Sequence, residues 1–150
     1  MKICYPHLTK ILSTSDLSDV TLYHGTLRKN VAKILKNGLN VSSGWGGAGT
    51  EGVFLSGSKE GALYWAKLAY QQEHELRMEV SKFDPANLPE LAILKVVVPK
   101  NKTDLLKADM EQAEDVGFDG DESDWRASLE QIGDVRYDER IPPAWISKIP

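Results

Sequence analysis

The sequence predicts a single α+β domain over residues 1–150, and three observations lead to this fold class. The chain has 150 residues, of which 41% are hydrophobic and 27% charged, the size and balance of one globular domain. Its clearest strand, residues 91–98, is an almost unbroken apolar run, as expected for a strand inside a sheet. Strand-like segments also outnumber helical ones and do not alternate with them regularly, as a doubly wound sheet would require.

The first half of the chain contains segments with clear helical or extended patterns. Val31, Ile34 and Leu35 recur at helical spacing, and Asn37-Gly38 is a typical helix end. Ser58 or Gly57 can cap a second helix. The predicted elements are a short helix at 8–13, a strand at 21–23 that ends at His24, a helix at 28–37, a loop at 42–52, a strand at 53–56 and a helix from Lys59 to about Arg77.

The second half is predicted to be mostly extended. Pro99 ends the strand at 91–98, because proline lacks the backbone N–H that a ladder needs. The tail at 141–146 is expected to pack Trp145 and Ile146 onto the core. The remaining predicted elements are a helix at 103–112 and strands near 125–131 and 134–138.

Composition excludes several classes of protein. The lone cysteine, Cys4, cannot form an internal disulfide, and a cytoplasmic setting with no membrane span is expected. The net charge of −4 does not indicate a basic face for long nucleic-acid tracts. His7, His24 and His74 are scattered, so no metal site is predicted, and the acidic run at 114–124 is interpreted as a solvated loop.

A glycine-rich stretch matches the dinucleotide-binding fingerprint in letters only. Gly44, Gly46 and Gly49 have the fingerprint spacing, but the motif requires a strand before it and a helix after it. Here the next predicted element is the strand at 53–56. Two interpretations stay open, a loop that flanks a ligand cleft and a plain surface loop.

Two ordered motifs carry a family resemblance. Leu22-Tyr23-His24-Gly25-Thr26 is followed by a helix, and Gly52-Val53-Phe54-Leu55-Ser56 is followed by Ala62-Leu63-Tyr64-Trp65-Ala66. Their order and spacing resemble the ADP-ribosyltransferase superfamily, in the His-Tyr-Glu branch of poly-ADP-ribose polymerases and diphtheria toxin. The resemblance covers residues 20–70 and returns between 128 and 143, as in small bacterial or phage members. It implies two small, mostly antiparallel sheets packed together, with flanking helices and an NAD cleft between them.

The resemblance also implies roles for individual residues. His24 is expected to hydrogen-bond the adenosine ribose of NAD, while Gly25 holds the nicotinamide amide through its backbone and Thr26 completes the motif. Tyr64 is expected to stack on the nicotinamide ring, with core packing beside Trp65 as its other interpretation. Ser56 is expected to contact the nicotinamide ribose, or else to be a strand-end hydroxyl or helix cap. Arg28 and Lys29 follow the His motif, and two interpretations stay open for them, a contact with the pyrophosphate and a solvated helix start.

The third position of the signature is an acid that stabilises the oxocarbenium-like transition state. This sequence has no clean family glutamate there. Asp134 is the first choice, because it follows Gly133 and opens a strand, and Glu130 is the alternative. An exposed charge on a strand is the other interpretation of each residue.

The expected function is NAD-dependent mono-ADP-ribosylation of a macromolecular target, protein or nucleic acid, with release of nicotinamide. A toxin or phage effector, with an antitoxin or a host target as partner, would fit this activity, and so would NAD hydrolysis. Two alternatives remain. One is an RNA 2′-phosphotransferase-like enzyme, although the five arginines do not match the set that such a site uses. The other is a catalytically inactive module that binds NAD, another nucleotide or a protein.

Overall fold

The structure, a computed structural model, describes residues 18–42 and 51–149, which form one six-stranded antiparallel sheet and several helices. The strand order is β4-β5-β2-β1-β3-β6. The α+β class is therefore confirmed. The strands are β1 (Val20–Leu27), β2 (Val53–Ser56), β3 (Leu91–Val98), β4 (Leu106–Ala108), β5 (Asp134–Tyr137) and β6 (Ile146–Lys148).

The expectation of two packed sheets is wrong for the described residues, since all six strands belong to one open sheet. The pairing of strands in that sheet is nevertheless sparse at its centre, between β1 and β2. β1 pairs with β3 along its whole length, and β2 pairs with β5 along its whole length. Between β1 and β2, however, the only registered pair is Tyr23 with Ser56. The sheet thus consists of two three-stranded halves joined at one position.

In the described part of the chain, four helices accompany the sheet: α1 (Val31–Asn37), α2 (Lys59–Glu73), α3 (Ala113–Val116) and α4 (Trp125–Gln131). A 3-10 turn over Arg28–Asn30 leads into α1, so the predicted helix at 28–37 is confirmed. The Ser58 hydroxyl accepts a hydrogen bond from the Gly61 N–H and caps α2. Within the described ranges, no helix has the length and apolar character needed to cross a membrane.

α2 ends four residues earlier than predicted because the chain turns sharply after it. Glu75 has a φ of 55°, in the left-handed region. The Leu76 N–H then bonds back to the Gln71 carbonyl, and the Glu75 N–H to the Gln72 carbonyl. These two bonds are the Schellman arrangement that terminates helices, formed here without the usual glycine.

Two predicted elements are wrong. The helix predicted at 103–112 is instead a 3-10 turn over Lys100–Leu105 followed by β4. Leu106 and Ala108 of β4 are both buried on the same face of the sheet, as residues two apart in a strand are. The strand predicted at 125–131 is the helix α4, which buries Trp125 and Ser128 one helical turn apart. The predictions of β2, β3 and β5 are confirmed, while those at 8–13 and 44–49 lie outside the described residues.

The sheet is covered on both faces. Leu22 of β1 belongs to the main core cluster, together with Val31 and Ile34 of α1 and Trp125 of α4. Because successive strand residues point to opposite faces, Gly25 lies on the other side, under α2. The expected docking of the tail is confirmed: the Trp145 ring lies edge-on to Tyr137, with centroids 5.7 Å apart, and Ile146 is buried.

Candidate functional site

A cavity of about 180 Å³ opens between β1 and β2, beside the position where the two strands stop pairing. Its lining includes His24 and Gly25 from β1, Phe54 and Ser56 from β2, and Trp65 from α2. The junction between the halves of the sheet is therefore a concave site. Three residues that the sequence nominated, His24, Gly25 and Ser56, meet there.

His24 lies in the middle of β1, not at the end of a strand as predicted. Its imidazole spans the gap between the two strands, with Nδ1 3.3 Å from the Phe54 carbonyl oxygen. Burial lowers the pKa of His24, and the hydrogen bond to Phe54 opposes this only partly. The ring is therefore neutral at pH 7. A proton on Nδ1 donates to Phe54, which leaves Nε2 as a hydrogen-bond acceptor.

Gly25 allows α2 to lie directly on β1. A Cβ atom at this position would be 1.8 Å from the Ala62 carbonyl oxygen and 3.0 Å from the Ala66 nitrogen. Only glycine permits this approach, which places Trp65 of the same helix over the cavity. The adjacent Thr26 is buried and does not line the cavity.

Asp134 lies next to this cavity, at the start of β5. The sheet register pairs it with Ser56, and the Ser56 hydroxyl donates to Asp134 Oδ1 over 2.5 Å. The other carboxylate oxygen, Oδ2, accepts from Trp65 Nε1 at 3.1 Å and from Gln112 Nε2 at 2.8 Å. Three donors from three different segments therefore hold this acid, which is only 7% exposed.

A second buried acid, Asp109, was missed by the sequence reasoning. Its Oδ2 accepts from Gln112 Nε2 at 2.7 Å, the same nitrogen that serves Asp134. Burial raises the pKa of Asp109, and the negative charges of Asp134 and Glu111 add to this, against the hydrogen bond from Gln112. Asp109, Glu111 and Asp134 line a small recess that shares Phe54 and Trp65 with the main cavity.

Other nominated residues lie elsewhere. Tyr64 is 47% exposed and stands edge-on to Trp65, with centroids 5.2 Å apart, while Trp65 is the aromatic residue at the cavity. Glu130 is exposed on α4, a helix where a strand was predicted. Arg28 donates to the carbonyls of Pro89 and Leu91 and is not part of the cavity.

The sequence motifs did not point to Trp65, Asp109 or Gln112, for simple reasons. Trp65 is adjacent to Tyr64 in the motif, and only the rotation of α2 decides which of the two rings faces the cavity. Asp109 and Gln112 fell within a segment predicted to be helical, so nothing linked them to Asp134. The alternation of Leu106 and Ala108 was the available signal for the strand that carries Asp109 to its place.

Comparisons with protein-family models, with curated proteins and with solved structures find no significant match. In the part of the chain that the structure describes, no group of three or more histidine, cysteine, aspartate or glutamate residues is placed to hold a metal ion. Any function must therefore be inferred from the geometry of the cavity and from the motifs that line it.

Proposed function

We propose that this protein is an NAD-dependent mono-ADP-ribosyltransferase, which transfers ADP-ribose to a protein or nucleic acid and releases nicotinamide. One observation carries the proposal. His24, Gly25 and Ser56, nominated from two separate motifs, line one cavity, and Asp134, nominated from a third, is hydrogen-bonded to Ser56. Residues more than a hundred positions apart in sequence thus converge on a site of a few side chains.

The size of the cavity favours one end of a dinucleotide. At about 180 Å³ it is smaller than the roughly 300–1,000 Å³ typical of sites that enclose a drug-sized ligand. The nicotinamide and its ribose would enter the cavity, with the remainder of NAD outside. Trp65, not the exposed Tyr64, is then the ring that stacks on nicotinamide, since Trp65 lines the cavity.

Asp134 supplies the electrostatic part of the mechanism. When the bond between nicotinamide and ribose breaks, its electron pair stays on the nicotinamide nitrogen, and positive charge develops on the ribose. A fixed carboxylate beside that charge lowers the barrier without having to reorganise. A nucleophile of the acceptor then forms the new bond to the ribose carbon, and its proton passes to solvent.

The NAD-binding module without turnover is a second candidate, favoured by one observation. Both oxygens of Asp134 are already engaged by donors of the protein, so contact with a ribose hydroxyl requires one of these bonds to be exchanged. The RNA 2′-phosphotransferase alternative is weakened by the arginines. Within the described ranges no arginine lines the cavity, and Arg136 and Arg140 are bonded to a carboxylate or a backbone carbonyl.

The test is release of nicotinamide from NAD by the purified protein, alone and with cell lysate, using NAD labelled in its adenosine. Label that becomes attached to protein or to nucleic acid identifies the class of acceptor. A labelled host protein, or an antitoxin that prevents the labelling, would define the partner in the cytoplasm. Free labelled ADP-ribose would indicate hydrolysis. Binding of NAD without release of nicotinamide would select the inactive module, and absence of both would refute the proposal.

Variants separate binding from chemistry. We expect His24→Ala to weaken NAD binding, measured by calorimetry. Asp134→Asn should retain binding and lower kcat about 100-fold or more, the scale for losing one electrostatic partner of a transition state. Glu130→Gln is the matched control, because it removes one carboxylate on an exposed helix face. Full activity of Asp134→Asn with loss in Glu130→Gln would show that the wrong acid has been chosen.

A further inference from the structure

The register of β4 and β5 brings two buried acids together. Ala108 pairs with Val135, so the next residue of each strand, Asp109 and Asp134, would be opposite each other in a continued ladder. Like charges directly opposite each other in a sheet are destabilising. Both residues are nevertheless buried, at 3% and 7% exposure. Their neighbours must therefore offset the repulsion.

A serine from α4 takes the place of the missing ladder bond. The Asp109 N–H donates to the Ser128 hydroxyl at 3.1 Å, and that hydroxyl donates to the Asp134 carbonyl at 2.7 Å. Ser128 has no exposed surface. The hydroxyl thus separates the two strands while it satisfies the backbone groups of both acids, and it leaves room between the side chains.

Gln112 occupies the space between the two carboxylates. Its Nε2 lies 2.7 Å from Asp109 Oδ2 and 2.8 Å from Asp134 Oδ2, which matches the two hydrogens of one amide group. Negative charges on either side of one neutral amide in a buried site repel each other, and the charge of Asp134 adds to the burial that raises the pKa of Asp109.

We propose that Asp109, Gln112 and Asp134 act as one coupled acidic unit, in which Asp109 and Gln112 are positioning residues for the Asp134 carboxylate. The unit orients Asp134 toward Ser56 and Trp65 at the cavity. Its importance for turnover rests on the proposed function. Its existence as a coupled pair does not, so the two can be tested separately.

The charged groups that act on Asp109 are Asp134 on β5 and Glu111 in the same turn, and both are acidic. Among the residues that the structure describes, the hydrogen-bonding contacts from the other packed elements are uncharged: Ser128 from α4 and Trp65 from α2, which reaches Asp134. The direction of each contribution to the pKa of Asp109 follows. Burial raises that pKa most, the charges of Asp134 and Glu111 raise it further, and the hydrogen bonds from the Gln112 side chain and the Glu111 backbone N–H lower it.

The Trp65 indole N–H reports on the unit without any need for activity, because it donates directly to Asp134. We would follow its nitrogen–proton NMR signal against pH and assign the signal by its absence in Trp65→Phe. The wild type should show a step with a midpoint above the ordinary aspartate value of about 3.9. The step should be absent in Asp109→Asn, should move up in Gln112→Met, and should persist at slightly lower pH in the control Glu111→Gln.

The outcomes are decisive even where one variant fails to fold. Asp109→Asn places a second amide against that of Gln112, and two opposed donors can unfold the protein. In that event Gln112→Met, which keeps both acids, decides the question alone. A Trp65 signal with no step above the ordinary aspartate value, a step unchanged in Asp109→Asn, or one unmoved in Gln112→Met would overturn the proposal.

Turnover provides the second arm. If the protein releases nicotinamide, Gln112→Met should lower kcat by up to about 100-fold, the scale for a misplaced catalytic group, with the KM for NAD nearly unchanged. Glu90→Gln, which replaces an exposed acid that lines neither the recess nor the cavity, should keep kcat. If the protein does not release nicotinamide, the function fails while the NMR result still supports or refutes the acidic unit. An unchanged kcat in Gln112→Met of an active enzyme would refute the positioning role.

Discussion

Gly25→Ala should separate α2 from β1, and its cost can be worked out from the structure. The added methyl group would be 1.8 Å from the Ala62 carbonyl oxygen and 2.7 Å from the Ala62 carbonyl carbon. Both are backbone atoms, so no side-chain rotation relieves the clash, and the whole helix must move by about 1 Å or more. Overpacking of this kind typically costs 1–3 kcal/mol, and a backbone clash belongs at or above about 3 kcal/mol.

Thermal and urea unfolding followed by circular dichroism would measure this loss. For a chain of this length, about 3 kcal/mol corresponds to a fall in Tm of roughly 6–12 °C. Gly57→Ala is the matched control, since its Cβ would meet the end of the Leu129 side chain at 3.1 Å and the Gly133 carbonyl oxygen at an ordinary contact distance of 3.6 Å. We expect the control to stay within about 1 kcal/mol of the wild type.

The same substitution should also affect the site, because α2 carries Trp65 over the cavity. NAD binding should weaken in Gly25→Ala even at temperatures where the protein remains folded. A Gly25→Ala protein with a Tm within about 2 °C of the wild type, or as stable as Gly57→Ala, would show that α2 does not press on β1 as described.

Four further perturbations test other contacts. Ser56→Ala leaves Asp134 Oδ1 without its donor and should lower the free energy of unfolding in urea by about 1–3 kcal/mol. Trp65→Phe keeps a ring at the cavity but removes a donor to Asp134, so it should lower kcat more than NAD affinity in parallel kinetic and calorimetric assays. Burial raises the pKa of Tyr137 from 10.0 to about 12. The free energy of unfolding should therefore hold up to pH 10 and fall between pH 10 and 12, and Tyr137→Phe should abolish this fall. Burial lowers the pKa of His24 below 6.5, so the stability that the neutral ring contributes should be lost as the pH falls below that value. In urea unfolding, His24→Gln should reduce the dependence of the free energy of unfolding on pH in the acid range.

Two of the strands that the sequence predicted correctly, β2 and β3, share one property. Residues 53–56 and 91–98 are mostly apolar runs, half of whose residues are β-branched or aromatic, and their bounds in the structure match the prediction. Residues 103–112 and 125–131 mix charged and small residues, so their local pattern is ambiguous. There, contacts with the sheet decided the outcome, making one a turn and a strand and the other a helix.

The candidate site divides in the same way. His24, Gly25, Ser56 and Asp134 stood out because they lie in or beside motifs whose order along the chain is informative, and the structure brings them to one place. Their roles toward NAD stay predictions. Tyr64 was preferred to Trp65 because sequence order alone does not show how a helix is rotated about its axis.

The sequence by itself determined the α+β class, the main strands and the two helices α1 and α2, because these follow from local hydrophobic pattern and from helix-end residues. Only the tertiary structure decided that the sheet is single, that it is joined at one pair between its halves, and that a cavity opens beside that pair. It also decided the partnership of Asp109 with Asp134. The physical reason is that strand order and register depend on contacts between residues distant in sequence, and a local pattern carries no record of them.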